Sequence, residues 1–318
     1  MRLSIIIPVL NQYKLFAEVL NTLARHTEHP DTEFILVDNG STEGGQKLRD
    51  ALNRIGIDWG ALRKFKELKI FTNDENVGNY PIFKQTLYAS TGQILCYLHS
   101  DFFVHESSWD IKVRKAFEED NKLALIGFIG SNEIDNFGGR GNGTMSNFQG
   151  HTIKEWKGSS AEVHGRRIQD LQPAAIVDGC SMIFRRQALW KIGFKDNFPI
   201  HHFYDRLFCC QVLEEGWHIG VLGIASDHIS GQTANTQEQY QEAGKKWAKK
   251  FLGIESPEQW ALKFSDWVNN QNNPSKGVVP KNYDHLIYLE AERQFLTEWR
   301  DKKHFVPLRV DENYNVKR

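Results

Sequence analysis

The sequence predicts an α/β fold, a mostly parallel, Rossmann-like central sheet flanked by helices, with a C-terminal helical appendage. Short apolar, β-branched runs alternate with helix-periodic stretches over the first two-thirds of the chain, as expected of βαβ units. Three of those runs end in polar clusters, and in such sheets ligands bind outside the carboxyl ends of the strands. From Gln237 onward the pattern is helical. The 318 residues suffice for one large domain with an appendage, divided at 1–236 and 237–318 with the second part packed on the first.

Leu3 to Val9 is apolar throughout, which suits a strand buried on both faces. Phe16, Val19, Leu20 and Leu23 then share a helix face. Phe34 to Val37 is a second strand, ending in Asp38-Asn39-Gly40-Ser41-Thr42. Leu68 to Phe71 is a third, with a helix beginning at Asn79 to Pro81. Ile94 to Leu98 is a fourth, ending in His99-Ser100-Asp101. A helix over Ser108 to Glu119 leads to a strand at Leu123 to Ile129. Gly130 to Ser160 is rich in Gly and Asn without periodicity and reads as an ordered functional loop or a lid. Ala174 to Phe184 returns to strand composition, Phe203 to Glu214 is helical, and Trp217 to Ala225 is a strand. Ser256-Pro257-Glu258-Gln259 has the form of a capping box with proline at the first helical position. Trp260, Phe264, Trp267 and Val268 follow on one face, a further helix spans Tyr283 to Trp299, and the tail after Val306 shows no pattern.

Hydrophobic residues are 40% and charged residues 25% of the chain, ordinary for a folded protein. A formal net charge of -1 leaves no global field favouring nucleic acid or anionic membranes. Cys96, Cys180, Cys209 and Cys210 show no paired metal spacing and read as reduced thiols, which favours a cytoplasmic setting. Met1 to Leu10 reads as a first strand rather than a signal segment, and no run approaches the ~20 apolar residues of a transmembrane helix.

Asp38, ending a strand, suits either a contact to a nucleobase or ribose or an Asx-turn. Asn76-Val77-Gly78-Asn79 is a turn whose glycine allows close backbone approach to a ligand. His99 and Asp101 stand at i and i+2, on one side of an extended chain. A carboxylate there can hold a divalent ion whose shell is completed by phosphate oxygens, or can cap the next helix. Asp205 near a helix start suits a general base or a partner for the helix dipole. His228, after the strand ending at Ala225, offers an imidazole suited to Mn²⁺ or another transition ion. Gly138 to Gly143 is glycine-dense but lies between no strand and helix, and no Walker loop, His-Glu-x-x-His or nucleophile elbow occurs. Lys245, Lys246, Lys249 and Lys250 around Trp247 and Phe251 read as a solvated basic face backing onto packed aromatics.

As a set, these segments resemble the family 2 glycosyltransferases of the GT-A fold. Ser4 to Asn11 is similar to that family's first strand and donor-binding turn, and Val37 to Thr42 to its second-strand motif, whose Asp contacts the base. Asn76-Val77-Gly78 matches its Asn-x-Gly element, and Leu98 to Asp101 falls at its Asp-x-Asp metal motif. Asp178-Gly179 lies where a strand and loop border the sugar site, Asp205 where the base stands, and His228 at a later metal-contacting histidine. His99 replaces the first acid of the metal motif, and Tyr204 stands where the base motif usually has Glu.

The resemblance implies inverting transfer of a sugar from a nucleotide-diphosphate donor to an acceptor hydroxyl. In that reading Pro8, Val9, Asn11, Asp38, Asn76, Gly78, His99 and Ser100 bind the donor nucleotide. Asp178, Gly179 and Tyr204 border the sugar and acceptor, Asp101 and His228 hold Mn²⁺ or Mg²⁺, and Asp205 is the catalytic base. The acceptor is a glycan, lipid carrier, protein or modified nucleic-acid base. Two rivals are a catalytically degenerate nucleotide-sugar-binding protein and a nucleotidyltransferase.

Overall fold

The computed structural model describes residues 1–42, 46–55, 59–147, 165–229 and 237–318. Residues 148–160 of the expected loop, Ser230 and Gly231 after His228, and the expected boundary at 236 lie outside them. In chain order the first half runs β1 (Leu3–Val9), α1 (Tyr13–His26), β2 (Thr32–Asn39), α2 (Gln46–Ile55), α3 (Trp59–Leu62), β3 (Glu67–Asn73), α4 (Asn79–Ala89), β4 (Ile94–Leu98), β5 (Phe102–Val104), α5 (Trp109–Glu119) and β6 (Leu123–Gly127). Then come short β7 (Ile129–Ser131), β8 (Glu133–Ile134), β9 (Thr144–Ser146) and β10 (Arg166–Arg167). After these follow β11 (Leu171–Ala174), β12 (Ile176–Val177), β13 (Ser181–Arg185), α6 (Arg186–Ile192), α7 (Tyr204–Glu214), β14 (His218–Leu222) and β15 (Ser226–His228).

The main sheet has eight strands in the order β11-β14-β6-β13-β4-β1-β2-β3. Its pairings are parallel except those made by β13 and β11, so it is mostly parallel as the alternation predicts. Side chains alternate across the strands. Leu3, Ile5, Ile7 and Val9 of β1 pack with α1 and α5 on one face, while Ile6 joins Tyr80, Phe83, Tyr204 and Phe208 of α4 and α7 on the other. The expected strand at Leu123 to Ile129 divides because Phe128 N–H donates to Ser181 Oγ at 3.1 Å rather than extending the ladder. Ala174 to Phe184 divides likewise at Asp178, whose Oδ1 accepts Cys180 N–H at 3.0 Å in an Asx-turn.

The C-terminal part holds α8 (Gln237–Leu252), α9 (Pro257–Lys263), α10 (Ser265–Asn269) and α11 (Tyr283–Leu296), followed by a π-helical turn at Thr297–Lys302. The capping box does not form. Ser256 makes no side-chain cap, and Gln259 Oε1 instead accepts from Glu255 N–H. Trp260, Phe264, Trp267 and Val268 do share one apolar cluster, though the helix breaks at Phe264. The tail is not patternless. β16 (Leu308–Val310) pairs with β8 and with β17 (Val316–Lys317), and Leu308 and Val310 enter the main core. Strands of two or three residues are too short to leave a period in sequence.

Glu33, on β2, is a fully buried charged group. Its Oε1 accepts from Ser4 Oγ and Thr91 N–H, both at 2.5 Å, and Lys69 Nζ stands 3.1 Å from Oε2. Burial pushes its carboxyl up, but these donors outweigh it and hold the pKa at about 2. A depressed carboxylate stabilises the fold fully above the ordinary glutamate range and loses that contribution as pH falls toward the folded value, at most about 3 kcal/mol here. Urea unfolding between pH 6 and 2.5 is expected to show this acid loss in wild type and a flatter profile in Glu33→Gln. Parallel profiles would assign the acid sensitivity elsewhere.

Candidate active site

The parallel register aligns the ends of the first strands. Val9 pairs with Asp38, and Asn39 with Asn73, so the loops after β1, β2 and β3 start from one edge. Asn11 takes a left-handed conformation, φ 61°. Its side chain accepts from Thr42 N–H at 2.8 Å, and its own N–H donates to Ser41 Oγ at 2.9 Å, which ties the first loop to the second. A cavity of about 90 Å³ opens on this edge. Pro8, Val9, His99, Ser100 and Asp101 line it, together with Asn39, Asn79 and Tyr240.

Asp38 is fully buried beneath the cavity, not on its wall. Its two oxygens accept from Ser41 N–H, three residues on, at 3.1 Å and from Tyr13 OH at 3.2 Å, so it braces the turn from below. Its neighbour Asn39 lines the cavity instead and donates to Asn76 Oδ1 at 2.9 Å. Gly78 N–H donates to the same Asn76 Oδ1 at 2.9 Å, behind that amide pair. Gly78 has φ 85°, and a Cβ there would meet Ile200 at 2.5 Å, so its close approach is to protein backbone and side chain.

Just past β4, Phe102 N–H donates to His99 O at 3.1 Å, a turn that lifts His99, Ser100 and Asp101 off the sheet edge. β15 then pairs antiparallel with β5, setting His228 opposite Phe102, and Ile229 N–H donates to Asp101 O at 3.0 Å. This small ladder carries His228 across the fold to Asp101, with Nε2 at 3.2 Å from Oδ1. His99 completes the group, its Nδ1 at 4.0 Å from Asp101 Oδ1. One ligand atom from each of His99, Asp101 and His228 lies within 4.8 Å of the others.

Electrostatics separate the roles of these groups. Burial raises Asp101, but the hydrogen bond and charge of His228 outweigh it and keep the carboxyl below its usual range. Burial lowers His99, against the opposing pull of Asp101, so its imidazole is held neutral. His228 is raised, because Asp101 outweighs the burial that would lower it.

Tyr204, at the start of α7, puts its hydroxyl 3.1 Å from His99 Nε2 and 3.4 Å from the carbonyl of Gly179. With the phenol donating to Gly179, His99 Nε2–H donates to the phenol and Nδ1 keeps its lone pair toward Asp101. This tautomer is assigned from the hydrogen-bond network, and it is the second-sphere arrangement of a metal-ligating histidine. A Cβ on Gly179 would stand 2.5 Å from the Tyr204 hydroxyl, so glycine leaves the ring its place. Asp178 pairs with Arg140 at 2.9 Å, which overcomes burial and lowers its carboxyl. Asp205 is raised, chiefly by burial, with Arg206 opposing and the charge of Asp178 adding to the rise. Asn39, Tyr240 and Arg140 are not among the site residues the sequence suggests; Asn39 lies within the Asp38 to Thr42 turn and Arg140 within the glycine-dense stretch of the expected loop, while Tyr240 sits in no motif.

Two imidazoles and a carboxylate form a donor set suited to a first-row transition ion more than to Mg²⁺, which prefers an all-oxygen shell. Among the described residues no helix is long and apolar enough to cross a membrane.

The family model for glycosyl transferase family 2 matches residues 4–193. No curated protein sequence matches the chain. Among solved structures, GalNAc-T7 with UDP, GalNAc and Mn²⁺ superposes with a TM-score of 0.53 at 13% identity, covering 97% of this chain and 58% of that one. The mannosyltransferase PcManGT from Pyrobaculum calidifontis, with GDP-Man and Mn²⁺, gives 0.48 at 14% identity over 95% and 75%. S. aureus TarS 1–349 in complex with UDP gives 0.46 at 16% identity over 99% and 96%.

Titration of the purified protein with Mn²⁺, read by electron paramagnetic resonance of the free ion, is expected to show one site. Asp101→Ala and His228→Ala should each weaken it at least about tenfold, and Tyr204→Phe by about tenfold through the histidine it supports. Equal Mn²⁺ affinity in wild type and Asp101→Ala would remove these residues from ion binding.

Proposed function

The chain belongs to glycosyl transferase family 2 and is a glycosyltransferase, and we propose that it moves a sugar from a nucleotide-diphosphate donor to an acceptor hydroxyl with inversion. The observation that carries this reading is the convergence of His99, Asp101 and His228 on a cavity at the carboxyl edge of the parallel sheet. The nucleotide would lie over Pro8, Val9 and Asn39, with Asn11 and Asp38 holding the loops beneath it and Asn76 and Gly78 supporting Asn39 from behind. His99, Asp101 and His228 would hold the divalent ion, Mn²⁺ in preference to Mg²⁺. Bound there, such an ion supplies positive charge against the departing diphosphate.

Asp205 is the proposed base. It removes the acceptor hydroxyl proton as that oxygen attacks the anomeric carbon from the face opposite the diphosphate. The bond to the diphosphate breaks with its electron pair, and the proton remains on the Asp205 carboxyl. A carboxylate raised by burial is a better proton acceptor than one in water. Asp178, paired with Arg140, borders the sugar and keeps a negative charge beside the base. Tyr204 and Gly179 act through His99 as positioning residues.

General-base help is typically worth ~10²–10⁴ in rate. Asp205→Asn is therefore expected to lose at least about 10²-fold in turnover of a competent donor–acceptor pair while binding nucleoside diphosphate normally. Retained turnover would remove Asp205 from the chemistry. Removing a neighbouring like charge favours ionisation, so Asp178→Asn should move the acid limb of kcat/KM to lower pH. A limb that stays in place would separate that titration from Asp205.

A further inference from the structure

A second cavity, of about 310 Å³, lies between α4, the segment at 194–200 and α8. It shares no lining residue with the cavity at the sheet edge. Its apolar wall is aromatic, contributed by Tyr80, Phe194, Phe198, Trp247 and Phe251. Four lysines also line it, against two acids, Glu75 and Asp196. Lys84 pairs with Asp196 at 2.8 Å, and Lys246 pairs with Glu75. Lys195 and Lys250 remain, and among the described residues neither has an acid within ion-pair distance. Burial pushes the Lys195 ammonium down, against the charges of Glu298 and Glu214, and its Nζ stands 5.9 Å from the centre of the Trp299 ring. Lys250 lies 4.9 Å over the Phe251 ring.

Two buried N–H donors of wall residues, Asn76 Nδ2 and Trp247 Nε1, have no acceptor among the described residues. The lysine and aromatic stretch of α8, which in sequence is a solvated basic face over packed aromatics, therefore forms one wall of a concave site. Apolar lining with a few convergent polar groups is the usual character of a small-molecule pocket.

We propose that this cavity is a second ligand site, separate from the donor cavity, for an aromatic organic anion. Its ring packs on the aromatic wall, and its phosphate or carboxylate is taken by Lys195 and Lys250. The site adjoins the proposed donor cavity through one amide pair, since Asn76 on its wall accepts from Asn39 on the other.

The test uses the intact protein and 1-naphthyl phosphate, read by quenching of tryptophan fluorescence, with 1-naphthol and inorganic phosphate as the two halves of the probe. Saturable binding is expected, at least tenfold tighter than either half and unmoved by saturating UDP with Mn²⁺. Lys250 is exposed and Phe251 partly so, so Lys250→Glu and Phe251→Ala should leave the fold intact and raise the Kd at least tenfold. Equal binding of 1-naphthol, displacement by UDP, or an unchanged Kd in both variants would overturn the proposal. None of these readouts depends on sugar transfer, so they stand apart from the catalytic reading.

Discussion

Strand β1 is almost wholly removed from water, so its peptide groups must be paired by neighbours on both sides. β2 and β4 supply that pairing in parallel register. Once the register is set, the ends of the strands cannot be placed independently. The turn after β1, the turn after β2 and the His99 to Asp101 segment after β4 emerge on one edge because the ladders leave them nowhere else. Glu33 reinforces the same register from the opposite end, tying β2 to Ser4 of β1 and to the loop before β4. The proposed chemistry depends on this backbone constraint more than on any single side chain.

Upon that edge the site is assembled by short-range devices. The β5–β15 ladder fixes where His228 meets Asp101, and Tyr204 sets the ring of His99. The aromatic packing of Tyr204 on Phe83, 5.6 Å between centroids, couples that hydroxyl to the core. Charges alternate outward from there. Asp101 is held ionised by His228, Asp178 by Arg140, and Asp205 is left with its carboxyl raised. Neighbouring carboxyls are thus pushed in opposite directions, which is the pattern the proposed base chemistry calls on.

The long buried strands were legible because an unbroken apolar run such as Leu3 to Val9 has few other readings. Asp101 was legible because it follows such a run at an end where ligands bind. His228 entered on residue chemistry and family resemblance, since 127 positions separate it from Asp101 and a three-residue ladder has no period. Tyr240 lies on a helix far along the chain and reaches the cavity only through tertiary packing. The Asn39 contribution was hidden by Asp38, the more chemically suggestive neighbour, whose oxygens are spent on the turn. The tail after Val306 folds because β8 offers it an edge, information that is not local to the tail.

In the proposed site an ion held by His99, Asp101 and His228 completes a nucleotide pocket on the sheet edge. Thermal unfolding of wild type and Asp101→Ala in UDP, GDP, TDP and CMP, each with and without Mn²⁺, tests it most directly. A nucleotide bound only by the folded state at a hundred times its Kd adds about 2.7 kcal/mol. One nucleoside diphosphate is expected to stabilise wild type with Mn²⁺, and Asp101→Ala to lose the response. No stabilisation by any nucleotide, or an equal response in the variant, would contradict it.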